Sequence, residues 1–171
     1  MTGMVIKSDR HPGRAAARSA AAQVRDLSHE VLAIWILAPL ALLKLVQGAN
    51  VAGLNPLVAS RGILETADRV PVDSFPPDAA AHLVFLFSVW GLLIFTLGLV
   101  ALIALIRYRA MIPFVYLLLL IEQFGRKTLS MIHLDRPFAS AELTAGNIIN
   151  WVFLAAIVAG FLLSLARRKP A

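Results

Sequence analysis

Apolar residues run almost unbroken through long stretches of this chain, and the charges gather where those stretches end. The cleanest run covers about residues 81–106 and stops at Arg107-Tyr108-Arg109. It exceeds the ~20 residues that a helix needs to cross a bilayer. A second run follows almost at once, about 111–134, apolar through Ile121 and then carrying Glu122, Gln123, Arg126 and Lys127. An earlier run, about 31–51, opens as continuous apolar sequence and then meets Lys44, Gln47 and Asn50. The last, about 147–165, ends at Arg167-Arg168-Lys169. These runs are far longer than the ~10-residue alternating strands of a membrane barrel. In lipid every backbone N–H and C=O must be paired within the chain, so the pattern predicts helices. The expected fold is all-α: a four-helix transmembrane bundle, up-down-up-down, in which the short connection near residues 107–111 makes its two helices antiparallel neighbours.

The polar stretches fill in the organisation. Residues 1–28 are basic and alanine-rich and are expected as a flexible cytoplasmic tail, leaving 29–171 as the membrane domain. Within the tail, residues 14–23 have the composition to become helical on an anionic membrane surface. Ser28 is a candidate N-cap for the run that follows. A cleaved signal peptide is the rival reading of that run, with small residues at Gly48 and Ala49. The long basic region ahead of it and the interruption by Lys44 count against it. Residues 50–80 read as a loop, punctuated by Asn55-Pro56 and Pro76-Pro77, with a short surface helix over 57–69 and Asp78 as a start signal for the next helix.

Composition agrees with the pattern. The chain has 171 residues, enough for one domain; 59% are hydrophobic and 15% charged, where soluble domains average about 25% charged. The net charge of +6 lies beside apolar runs, with no basic reading face interleaved with aromatics, so it argues for orientation and against nucleic acid. The first tail, the Arg107/Arg109 turn and the C-terminal cluster carry ten Lys and Arg; the other two loops carry five. The richer side, with both termini, is expected to be cytoplasmic, giving a multi-pass protein of the inner (plasma) membrane. Cysteine is absent, which excludes disulfides, thiolate metal sites and thiol redox chemistry.

Candidate chemistry lies where charge falls inside the apolar runs, since each such charge costs about 2.5–3.5 kcal/mol to insert. Counting about 1.5 Å per residue from Glu30 and from Arg109, Lys44 and Glu122 both sit about 20 Å above the inner boundary. An ion pair between the first and third helices fits that depth. Gln47, Gln123 and Arg126 fall near the same level, with His82, His133, Asn147 and Asn150 as secondary candidates, so the outer half can fold into a polar chamber above a dry inner half. One reading makes this a ligand-binding site; the other makes it a structural network in which Lys44 and Arg126 snorkel outward and Glu122 is neutralised. Gly91 and Gly98 mark one packing face, and Ala156 with Gly160 another. Catalytic motifs, cofactor loops and metal-spaced ligands are missing from the sequence. The leading expectation is a non-enzymatic membrane protein that takes a lipophilic or small polar ligand, acts with a membrane partner or a second copy, or serves as an accessory subunit. A small transporter or proton-linked channel and an enzyme acting on a lipid or quinone are the alternatives.

The order of features resembles the DoxX-like group of small four-helix bacterial membrane proteins. The similar features are Leu43-Lys44-Leu45-Val46-Gln47-Gly48, the Asn55-Pro56 loop, Gly125-Arg126, and then Ser130, Asp135 and Pro137 before a last helix. The likeness spans about residues 31–165 and implies a fold rather than an activity. Some relatives in that group are linked to quinone or thiol redox processes, and the lack of cysteine argues against a direct thiol role here. The long basic tail and the charged end of the third run depart from the pattern.

Overall fold

The computed structural model describes residues 12–66, 70–134 and 145–166, with side-chain surroundings from Ser28 onward. These residues form five α-helices: α1 Pro12–Val51, α2 Ser60–Thr66, α3 Pro77–Ile106, α4 Ile112–Leu134 and α5 Ala145–Leu165, with 3-10 turns at Val72–Ser74 and Arg109–Met111. No strand occurs among the described residues. The four long helices fall where the apolar runs predict them. The part of α1 in Ser28–Val51 and the whole of α3 are long and apolar enough to cross a membrane.

One boundary differs. Helix α1 begins at Pro12, so residues 12–28, expected as a flexible tail, continue the helix, while 1–11 lie outside the described residues. Proline at the first helical position is pre-set for a helix and lacks only an N–H that has no partner there anyway. The alanine-rich stretch behind it has the best helix propensity available. At the other end α1 stops in a Schellman turn. Gly53 adopts a left-handed φ of 72°, and the Leu54 N–H reaches the Ala49 carbonyl at 2.9 Å. Asn55 then makes an Asx turn, its Oδ1 accepting from the Leu57 N–H at 3.0 Å while its Nδ2 donates to Asn50 Oδ1 at 2.8 Å. The short surface helix is shorter than expected, Ser60–Thr66. At the start of α3, Pro76 is the N-cap and Pro77 the first helical residue, which puts Asp78 inside the first turn.

Helix α1 packs most extensively on α3 and also on α5, while α4 packs on α5 and α3. Helices α1 and α4 are therefore diagonal to one another. The α1–α3 seam is built on missing side chains. A Cβ at Gly48 would overlap the Phe95 backbone, one at Gly91 the backbone of Val51 and Ala52, and one at Gly98 would come within 2.8 Å of the Leu45 amide. Gly91 and Gly98 thus do share a packing face, and it faces α1. Gly160 of α5 receives the ring of Tyr116 from α4 in the same way. The core below this level is apolar: Leu37, Leu40, Val115, Leu119 and Ile157 are buried together with small alanines from α1 and α3. Outward-facing positions are apolar too, including Trp35, Phe85, Leu93 and Ile106, all more than half exposed. A smaller cluster of Leu64, Val72 and Ala80 ties α2 and the following turn to the start of α3.

The glycine seam makes a prediction. Replacing Gly48 or Gly91 by leucine is expected to destabilise the protein by about 1–3 kcal/mol through forced separation of the backbones. A methyl group at Gly125 of α4 would meet no neighbour within 4 Å. Gly125→Ala is expected to stabilise by about 0.5–1 kcal/mol by removing chain entropy. Thermal unfolding in mild detergent distinguishes the three.

Candidate functional site

The expected pair forms. Lys44 Nζ of α1 donates to Glu122 Oε2 of α4 at 2.6 Å, and Lys44 is 1% exposed. It does not snorkel: its four-carbon stem crosses the centre between the diagonal helices. The ammonium also lies 5.4 Å from the ring centre of Phe153 on α5, whose face is electrostatically attractive to a cation. Glu122 Oε1 is buried and has no hydrogen-bond partner among the described residues.

A second group of contacts surrounds Arg126, one turn further along α4. Its guanidinium donates to Gln123 Oε1 at 2.6 Å and to Asn150 Oδ1 of α5 at 3.3 Å. It stands 5.9 Å from the ring centre of Trp90 on α3. Gln123 is buried, 4% exposed, so this amide is a fixed acceptor. Lys127 lies 4.6 Å from the ring centre of Trp151 on α5. Counted along their helices, these side chains all lie about 20–27 Å from the Arg109 end. They form one layer holding three cations, Lys44, Arg126 and Lys127, against a single carboxylate, Glu122, among the described residues.

Three expected members do not join. Gln47 is exposed. It is three residues beyond Lys44 and so falls about 60° short of a full turn. With Lys44 aimed at the centre and Gly48 pressed on α3, position 47 is carried outward. His82 is exposed, and its Nδ1 pairs with the Asp78 carbonyl of its own helix at 2.8 Å. His133 is exposed near the end of α4. The Asn147 side chain lies outside the described ones, as do Asp135 and Pro137. Among the described residues no group of three His, Asp or Glu is arranged to hold a metal. Sequence reasoning missed Trp90 and Phe153, although counting residues down their helices places both in the layer.

Nearer the Arg109 end the polar groups are sealed differently. Tyr116 is fully buried and its hydroxyl donates to the Ala33 carbonyl at 2.7 Å, a second tie between α4 and α1. Ser164 donates to the Phe161 carbonyl at 2.7 Å and Thr96 to the Leu92 carbonyl at 2.9 Å. Each of these hydroxyls is thus taken up by backbone.

Away from the layer, an open groove runs between the Val72–Ser74 turn and the start of α3, lined by Val72, Phe75, Ala80, Val84 and Phe85 with Arg61 and Asp73 at its rim. Arg61 donates to Glu65 Oε1 at 2.8 Å and also pairs with Asp73. The hydrogen bond to Glu65, with Asp73 adding attraction, holds its guanidinium above its ordinary pKa.

The buried pair makes the sharpest prediction. Lys44→Met and Glu122→Met are each expected to destabilise by about 3–5 kcal/mol, because each strands a polar partner in the interior. The double variant Lys44→Met/Glu122→Met is expected to lose less than the two singles combined. Strict additivity in detergent unfolding would show that the two side chains are not coupled. No family model matches the chain, and neither a curated protein nor a solved structure does.

Proposed function

We propose that this is a four-span, non-enzymatic protein of the plasma membrane, with both termini cytoplasmic, whose outer-half polar layer receives a ligand at its rim. The convergence of Lys44, Glu122, Gln123, Arg126 and Asn150 from α1, α4 and α5 at one depth carries this reading. Helices α1 and α3 meet the length and hydropathy of membrane spans. The spacing of α4 and α5, the outward apolar faces and the basic cytoplasmic turns support extending the count to four. Within the layer the roles divide. The sealed Lys44–Glu122 pair fixes α1 against α4, while half-buried Arg126, Lys127, Trp90 and Trp151 form the part a ligand reaches. A DoxX-like fold is consistent with this arrangement and adds no activity to it.

A transporter needs polar groups along both halves of a path, and the inner-half hydroxyls of Thr96, Tyr116 and Ser164 are turned to backbone carbonyls. An enzyme needs a second acid or base beside Glu122; of the candidates His82, His133 and Asp135, both histidines stand away from it and Asp135 lies outside the described residues. An accessory subunit would use the exposed apolar faces of α3 and α5 as its contact surface.

Two measurements test the proposal. The chain has no native cysteine, so single cysteines report topology cleanly. Asp73→Cys is expected to react with an impermeant maleimide from outside the cell and Arg107→Cys only after permeabilisation; labelling of both from one side would overturn the four-span arrangement. Mass spectrometry of gently solubilised wild type beside Glu122→Gln and Arg126→Gln is expected to show a small molecule kept by the wild type and lost from Arg126→Gln. A stoichiometric protein partner with no small molecule would favour the accessory-subunit reading instead.

A further inference from the structure

We propose that the rim of the polar layer binds the phosphate of an anionic phospholipid from the outer leaflet, with Arg126 as the contact and the α4–α5 seam as the seat. The proposal rests on the four-span reading and on the layer as a site, and adds the ligand class.

Charge is the first argument. Lys44 is matched by Glu122, the one carboxylate among the described residues of the layer. The partners described for Arg126 are both neutral amide oxygens, those of Gln123 and Asn150. They orient the planar guanidinium and leave its charge in place. A guanidinium in this setting favours a bidentate oxyanion, which a phosphate diester supplies.

Depth decides the source of that phosphate. Arg126 lies about 25 Å along α4 from the Arg109 end, roughly 5 Å short of the outer edge of a ~30 Å core. A side chain at that depth reaches the headgroup phosphates by extending toward the interface. Trp90 and Trp151 flank it at the level where indole rings favour a membrane boundary. The surface below completes the fit. On α5, Ile148 and Val152 are about half and two-thirds exposed beside Trp151, and Ala155, Ala159 and Leu162 continue an apolar strip toward the inner side. A fatty-acyl chain lies along such a strip while its phosphate stays at Arg126. Free phosphate would use the same guanidinium but gain nothing from the strip. A zwitterionic choline headgroup would bring its quaternary ammonium near Lys44, Arg126 and Lys127, so the net-negative lipid is preferred.

The test uses the full chain, purified in mild detergent and exchanged into nanodiscs holding equal parts phosphatidylglycerol and phosphatidylcholine, with retained lipid counted by native mass spectrometry. Wild type is expected to keep phosphatidylglycerol over phosphatidylcholine by about tenfold, the size of one charged hydrogen bond. Arg126→Gln/Lys127→Gln should remove the preference, Arg126→Lys should keep part of it, and Arg61→Gln, in the groove outside the layer, should leave it intact. Equal retention of the two lipids by wild type, or a preference that survives the double variant, would overturn the proposal. Displacement of phosphatidylglycerol by millimolar inorganic phosphate would assign the site to a free anion and overturn the lipid assignment. The broader site reading fails separately, when no molecule of any kind is lost from Arg126→Gln.

Discussion

The Lys44–Glu122 bridge is the constraint on which the arrangement of helices depends. Helices α1 and α4 are diagonal, so they share little backbone contact, and two long side chains join them. The Lys44 ammonium reaches Glu122 about 20 Å along α4 from the Arg109 end, and the Tyr116 hydroxyl reaches the Ala33 carbonyl about 10 Å along it. Two ties at different heights fix both the sliding and the tilt of one helix against the other. Buried between the helices, the pair has little water to fall back on, so any register that separates the charges carries the cost of an unpaired ion. The bridge therefore selects one register more than it adds net stability, since burying two charges consumes much of what their attraction returns.

The remaining contacts follow a different physics. On the proposed four-span arrangement, lipid tails are as apolar as leucine, so the helices gain little from hiding leucines against one another. Close packing has to supply the difference. The α1–α3 seam achieves it with Gly48, Gly91 and Gly98, each against backbone of the facing helix. The α4–α5 contact achieves it with Gly160, which makes room for the Tyr116 ring. Tyr116 thus serves two interfaces at once: its ring fills the space over Gly160 on α5, and its hydroxyl binds α1. Adjacent helices are held by closeness and diagonal ones by polar reach.

How much of this is legible in the sequence depends on the coordinate in question. Depth along a helix is linear in residue number, so the bounds of the four long helices apart from the start of α1, the shared level of Lys44 and Glu122, and the two-turn spacing of Gly91 and Gly98 can all be counted out. Direction around a helix is harder, because it requires knowing which face looks inward. Depth alone puts Gln47 in the chamber, yet it is exposed, since Gly48 rather than Gln47 takes the inward-facing position beside Lys44. His82 and His133 fail for a related reason: both stand near the end of a helix, where a short offset carries a side chain into the open. Trp90 and Phe153 escape notice because aromatics in an apolar run carry no signal of their own; only the cations they face make them part of the site. The continuation of α1 back to Pro12 is written in the alanine content of the tail, but composition alone does not choose between a helix and a free basic segment.

The two ends of the bundle treat polarity in opposite ways, and the proposed function rests on that contrast. The hydroxyls of Thr96, Tyr116 and Ser164 are each consumed by a backbone carbonyl, which leaves little there for a ligand to use. In the layer around Lys44, the described partners of Arg126 are neutral amide oxygens. A layer that served only to hold register would be complete with Lys44 and Glu122. Arg126 adds a charge that register does not need, and Gln123 and Asn150 are arranged to orient that charge, not to cancel it. On the proposed four-span arrangement this oriented guanidinium lies just beneath the membrane boundary as half of an ion pair, and the lipid phosphates there are the nearest plentiful source of the other half.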